Sequence, residues 1–234
     1  MRSPTSVKAG AKSATKAGTK SEETRERILR AALDLFQEGS FDSTTMRDIA
    51  VKAGVATGAA YYYYDSKDAL VLAFYEKAVA ELAPLLDAAL ERAGSDLKKR
   101  VAALLDVKLR YFELTRGLLR TLAAHVDPEK PLSPFSESTR SIREQDIEYF
   151  ERAITGSKTK VPADLMSALP RLFWLYQMGV ILYWIHDHSP AQQRTAALID
   201  KSLGIVVKLV QLSGLPFMSP LRKQALDLYR LAAE

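Results

Sequence analysis

The chain has 234 residues, 47% of them apolar, which is enough to bury a real core and excludes a wholly disordered polymer. It has no cysteine, so a disulfide framework and a thiolate metal site are both excluded. The longest apolar stretch, 172–185, is too short to span a bilayer as a helix, and no apolar signal segment opens the chain. The expectation is a soluble, cytoplasmic protein with no membrane partner.

Residues 1–20 hold Arg2, Lys8, Lys12, Lys16 and Lys20, no acid, and otherwise mostly Ala, Ser, Thr and Gly. Such a segment cannot bury enough apolar surface to order itself. It reads as a disordered basic arm, either merely solvated or adding sequence-independent attraction to phosphates.

A first helix is expected from Ser21, a good N-cap, with Glu22 and Glu23 at the positive end of its dipole. Ile28, Ala31, Ala32, Leu35 and Phe36 recur at helical spacing, and Gly39 reads as a left-handed cap. From Thr44 to Lys67 come two short helices joined by a tight turn at Gly54. Thr45 and Asp48 have the spacing of a capping box, and Met46, Ile49 and Ala50 supply the buried side. This is the sequence shape of a helix-turn-helix.

The second short helix carries four consecutive tyrosines, Tyr61 to Tyr64. Successive helical residues step by about 100°, so four in a row cannot all face one core. Ahead of them, Thr57, Gly58, Ala59 and Ala60 are small, which allows close approach to a major groove. Residues 21–67 carry six basic and eight acidic side chains, a net −2. Binding here must rest on a few placed groups, as in a specific reader.

These residues resemble the DNA-binding region of the TetR family of bacterial transcriptional repressors. The resemblance covers residues 24–72 and rests on Gly39, Phe41, Thr44, Thr45, Asp48, Ile49, Ala50, Ala53, Gly54, Val55, Gly58, Tyr61, Tyr63, Ser66, Lys67, Asp68 and Leu70. Ala56 stands where the family usually has a capping Ser, Ala60 replaces a larger aliphatic, and Tyr64 replaces Phe. Arg47 is the expected base reader, with a surface pair to Asp48 or Glu38 as the alternative. Thr57, Gly58, Ala59 and Tyr62 are expected at base edges. Thr45, Tyr61, Tyr63 and Lys67 are expected on phosphates, with Tyr61 as core the competing assignment.

The rest of the chain reads as helix, with no strand-like alternation, so the fold class is all-α. A three-helix head over 21–67 precedes a larger helical ligand-binding and dimerisation domain over 68–234. A long helix runs from Ser66 to about Arg92, with Pro84 expected to kink or break it. Further helices are expected near 96–115, 117–126, 135–154, 163–187, 191–213 and 219–233. The Pro-rich run 127–134 and the segment 156–162 are the main loops.

Two of these helices are apolar nearly all round and must bury both faces. A second copy of the chain is the simplest cover, and the resemblance implies the same homodimer. Leu172, Tyr176, Tyr183, Leu198, Ser202, Ile205, Val206 and Leu209 are its expected interface, a fully buried central helix in a monomer being the alternative. An apolar cavity for a small effector is expected among the aromatic residues. Its candidate polar points are Lys108, His125 and Gln177, and its walls are Phe112, Phe150, Trp174 and Met178. The resemblance implies that an effector there moves the long helix and releases a palindromic double-stranded operator.

No catalytic motif is present. His186 and His188 flank Asp187, but positions two apart leave a helix on different sides. Neither an enzyme, a metal site nor a cofactor is expected. The competing functions are an activator with the same head and a helical adaptor that binds protein.

Overall fold

The computed structural model describes residues 10–124 and 127–233, with side chains described over 20–124 and 127–231. Among them every regular element is a helix. They are α1 (Gly10–Glu38), α2 (Met46–Ala53), α3 (Thr57–Tyr63), α4 (Lys67–Arg92), α5 (Leu97–Phe112), α6 (Arg116–Leu122), α7 (Arg140–Thr155), α8 (Ala163–Met166), α9 (Leu169–Trp184), α10 (Gln193–Ser213) and α11 (Ser219–Ala233). The chain divides into two compact units, and the division falls within α4, between Phe74 and Tyr75.

In the first unit, α1 buries Ile28, Leu29, Ala31, Ala32 and Phe36, and α2 buries Met46, Ile49, Ala50 and Ala53. The capping box forms as its spacing requires. The Asp48 backbone N–H donates to Thr45 Oγ1 at 3.2 Å, and the Thr45 N–H donates to Asp48 Oδ2 at 2.9 Å. These Thr45 bonds hold the Asp48 carboxyl below its usual range. Gly54 then takes φ 65°, ψ 40°. Its N–H donates to the Val51 carbonyl while the Val55 N–H reaches back to Ala50, a Schellman stop that needs a residue tolerant of positive φ.

Three local expectations are corrected. Helix α1 begins at Gly10 rather than Ser21, so it runs through part of the segment expected to be an unstructured arm. The Ala and Lys content there favours continuing a helix already nucleated downstream; residues 1–9 lie outside the described residues. Gly39 follows the helix end without a left-handed backbone, since positive φ among glycines occurs at Gly54 and Gly94. The Ser43 N–H bonding Ser40 Oγ, and Thr44 Oγ1 bonding the Ser40 carbonyl, make the turn instead. Pro84 does not break α4, which is continuous across it. Buried Leu82, Leu86 and Leu90 hold both sides of that position in the core.

The second unit packs α4, α5, α7, α9 and α10 around Leu104, Leu105, Phe150, Phe173 and Leu203. Arg100 joins several segments by donating to the carbonyls of Ala153, Leu90, Gly94 and Arg152. A Cβ on Gly156 would lie 2.3 Å from Arg100 Nη2, so a larger residue there would displace the guanidinium from these carbonyls. Helix α7 starts at Arg140, five residues later than its pattern predicts. Ser136 and Thr139 instead direct their hydroxyls to the carbonyls of Pro131 and Ser133, a local competition that stops the helix from extending backward. The expected 163–187 helix is split into α8 and α9, with Pro170 in the first turn of α9.

At the start of α10 the buried Asp187 accepts from the Ser189 N–H at 2.9 Å and from the Thr195 N–H and hydroxyl at 2.8 and 2.7 Å. Desolvation works to raise its pKa, but these bonds win and hold the carboxyl well below its ordinary value. A lowered carboxylate pKa gives stability that is present above the unfolded value near 4 and is lost as pH falls. Asp187→Ala is therefore expected to lower the melting temperature at pH 7. Thermal melts against pH are expected to show the gap to the parent protein narrowing below about pH 4.

Candidate functional site

The first unit exposes one face of α2 and α3. Arg47 is exposed and, among the described residues, makes no hydrogen bond or ion pair. Of the two partners considered for it, Glu38 is engaged with Lys52 at 2.8 Å, while Asp48 is hydrogen-bonded to Thr45 and still feels the Arg47 charge. Thr57 and Gly58 are exposed and Ala59 is half-buried. Tyr62 is 83% exposed and Tyr61 51%, so Tyr61 is not a core residue. Ala56 makes no side-chain cap.

The other tyrosines turn back toward α1. Tyr63 is half-buried with its hydroxyl 3.3 Å from Ser21 Oγ. Tyr64 is buried, accepts from Arg25 Nε at 3.3 Å and donates to the Arg25 carbonyl at 3.4 Å. That pair of bonds explains a tyrosine in place of phenylalanine, since a buried hydroxyl needs partners. Thr45 is exposed, but its hydroxyl is committed to Asp48 at 2.6 Å. Lys67 also has work within the protein. Its ammonium donates to the carbonyls of Phe41 at 2.6 Å and Asp42 at 3.2 Å, and it lies 4.7 Å from the Phe41 ring centre. These bonds hold the α1–α2 loop.

The second unit contains a cavity of about 230 Å³ lined by residues of α4, α5, α6, α7 and α9 and the loop before α7. Leu82, Leu86, Phe112, Leu122, Trp174 and Met178 give it apolar walls. One polar cluster faces it. Lys108 bonds Asp146, its ammonium also donates to Gln177 Oε1 at 2.6 Å, and Gln177 Nε2 donates to Asp146 Oδ2 at 2.6 Å. The ring is closed, with Lys108 4.8 Å from the Phe150 ring centre. Burial pushes the Lys108 pKa down, and the Asp146 charge and hydrogen bond oppose that shift.

Of the residues expected at this cavity, Lys108, Phe112, Trp174, Gln177 and Met178 line it. Phe150 is fully buried beneath Lys108 rather than in the wall. His125 lies outside the described residues. Asp146, Arg143 and Tyr75 line the cavity and were not anticipated. His186 and His188 are exposed, whereas Asp187 between them serves the α10 cap.

Residues expected to pair two copies divide by exposure. Leu172, Tyr183, Ile205 and Leu209 are exposed, Ile205 to 60% and Leu209 to 55%. Tyr176, Leu198, Ser202 and Val206 are half-buried, and the Tyr176 hydroxyl lies 2.8 Å from Ser202 Oγ, joining α9 to α10. The opposite face of α9 buries Phe173, Trp174, Val180 and Trp184. No single helix among the described residues is long and apolar enough to cross a membrane.

Residues 28–74 match the family described as bacterial regulatory proteins, tetR family, and residues 112–227 match the Tetracyclin repressor-like, C-terminal domain. The chain belongs to the TetR family. It is a DNA-binding transcriptional regulator with a helix-turn-helix head. The HTH-type transcriptional regulator BetI of Brucella melitensis biotype 2 is 36% identical over 100 residues, which are 43% of this chain and 48% of BetI. The chain thus spans about half the length of the first curated relatives it matches.

Solved TetR-family structures share the fold. A tetR-family regulator from Streptomyces coelicolor is 22% identical with a TM-score of 0.55, covering 91% of this chain and 99% of that one. A regulator from Syntrophomonas wolfei is 20% identical with a TM-score of 0.61, covering 83% and 98%.

Lys67 and Arg47 differ in how far they are tied into this TetR-family head. Lys67→Ala is expected to cost about 1–3 kcal/mol of stability, because charged hydrogen bonds to two carbonyls are lost. Arg47→Ala is expected to change it by less than about 0.5 kcal/mol. Urea unfolding of both variants measures this directly.

Proposed function

We propose that this TetR-family regulator is a repressor that binds a palindromic operator as a homodimer and leaves it when a small, mainly apolar or aromatic effector fills the cavity. The observation that carries the reading is the composition of α4. Its Leu70, Val71 and Phe74 are buried in the first unit, while its Tyr75, Ala78, Val79, Leu82 and Leu86 line the cavity of the second. A ligand that prefers one placement of this helix biases both units, because a helix does not deform freely along its length.

For the DNA contact, Gly58 is informative. Its backbone lacks a positive φ, and a Cβ placed on it meets nothing within 4 Å. Nothing within the protein demands glycine there, and its open, exposed face leaves room for a partner to approach the backbone closely. Arg47, Thr57, Gly58, Ala59 and Tyr62 are proposed at base edges, and Tyr61 and Tyr63 at phosphates, with Thr45 and Lys67 supporting the frame. For the dimer, the exposed apolar stripe of Leu172, Tyr183, Ile205 and Leu209 is proposed as the contact between copies. A two-fold particle places two recognition helices about 34 Å apart, one turn of duplex.

Selection from a random duplex pool is expected to return a palindrome. On that duplex, Arg47→Ala is expected to cost about 1–3 kcal/mol and to relax preference at one base position. Gly58→Ala is expected to weaken binding while leaving the melting temperature unchanged or higher, since alanine favours helix. A pool that returns no preferred sequence at modest ionic strength would sink the DNA-reading proposal.

The dimer is tested separately by Ile205→Glu with Leu209→Glu. Analytical ultracentrifugation is expected to show monomers that keep their helical circular dichroism but bind the palindrome at least about tenfold more weakly, since the second half-site is lost. A dimer surviving both charges would place the interface elsewhere.

A further inference from the structure

The cavity lining carries an unequal charge. Its Lys, Arg, Asp and Glu members are Lys108, Arg143 and Asp146. Lys108 and Asp146 bond each other, so their charges cancel and Arg143 is left over. Arg143 Nη1 donates to the carbonyls of Pro134 at 2.7 Å and Ser136 at 3.1 Å, which fixes the guanidinium in place. Its Nε and Nη2 make no hydrogen bond among the described residues. Those two nitrogens form one edge of the planar group, with the spacing that a carboxylate accepts bidentately.

Among the described residues, no carboxylate takes that edge. Glu137 and Glu144, whose charges reach Arg143, both bond Arg140 instead. Burial first, and the nearby Arg171 charge second, work against the Arg143 cation. An anion in the cavity relieves both.

We propose that the effector is a small monocarboxylate with an apolar or aromatic body, its carboxylate seated on the Nε–Nη2 edge of Arg143 and its body among Leu82, Leu86, Phe112, Trp174 and Met178. The proposal rests on the reading of this cavity as the effector site. Size agrees with it: a cavity of about 230 Å³ suits a compact molecule on the scale of benzoate or hexanoate. A cationic effector meets the surplus positive charge, and the one acid available to it is already neutralised by Lys108. A neutral effector fills the walls but brings no negative charge to the guanidinium edge, so it loses the charge-assisted, bidentate contact.

The experiment is a calorimetric and thermal-shift titration of the full chain with benzoate, phenylacetate and hexanoate, beside benzamide, phenylacetamide and hexanamide. The acids are expected to bind roughly 10- to 100-fold more tightly than their amides, the scale of a charge-assisted hydrogen-bonded pair. Arg143→Gln is expected to erase that ratio, and Arg143→Lys, which keeps charge but loses the fork, to retain only part of it. The acid-to-amide ratio on the parent protein stands as a test even where Arg143→Gln does not fold. Amides binding as tightly as acids, or an Arg143→Gln protein that keeps the full ratio, overturn the carboxylate assignment and leave the cavity as an effector site. If no compound of either series binds, the assignment and the cavity reading fall together.

Discussion

The second unit is organised by the need to neutralise one buried ammonium. Lys108 on α5 is almost wholly inaccessible, and an unpaired charge in that position is not tolerable. Asp146 from α7 and Gln177 from α9 close a ring around it, so three helices are tied at one point. Removing one member of such a pair typically costs about 3–5 kcal/mol, because the survivor is left charged and buried. Apolar packing alone permits many sliding arrangements of these helices; three matched hydrogen bonds permit few. The cavity beside the ring keeps its shape for this reason.

The first unit solves its structural problem with short-range devices. The capping box, the left-handed Gly54 and the Schellman bonds all act within a few residues of sequence. Local chemistry is what a sequence displays directly, so the two short helices and their turn were legible from Thr45, Asp48 and Gly54. The roles of the tyrosines were only half legible. Periodicity requires that some of Tyr61 to Tyr64 face outward, but it does not say that Tyr64 turns in to meet Arg25, 39 residues away. Lys67 shows the same limit. Its position beside a helix start suits a phosphate, yet the carbonyls of Phe41 and Asp42 reach it through the tertiary fold.

In the second unit, Lys108 and Gln177 stood out because each is a polar residue set among apolar ones. Asp146 and Arg143 did not, because α7 is polar along much of its length and a charge on such a helix reads as part of a solvated face. Only the packing of α7 against α9 and α5 turns Ile142, Arg143, Asp146 and Tyr149 toward the cavity. Phe150, one step further along α7, was legible as buried but not as floor rather than wall. Ser136 and Thr139 misled in the opposite sense. Their neighbours carry a helical pattern, and the hydroxyl bonds that stop the helix depend on where the Pro131 and Ser133 carbonyls lie.

The contrast between α9 and α7 bears on how effector choice varies on a fixed scaffold. Helix α9 is constrained on both sides: Phe173, Trp174 and Trp184 fill the core, and Leu172 and Tyr183 form the exposed stripe. A change there disturbs packing whatever the ligand. Helix α7 places charged side chains at the cavity on a backbone whose other face is solvated, as the exposed Glu144 and Glu148 show. Substituting Arg143 alters the electrostatics of the cavity while leaving most of the apolar core intact, whereas Asp146 is bound into the Lys108 ring and is not open to change in the same way. Shape at this site is set mainly by α4 and α9, and at Arg143 charge can change independently of it. Polar residues on an otherwise unremarkable amphipathic helix are then the positions that most directly tune which small molecule is admitted.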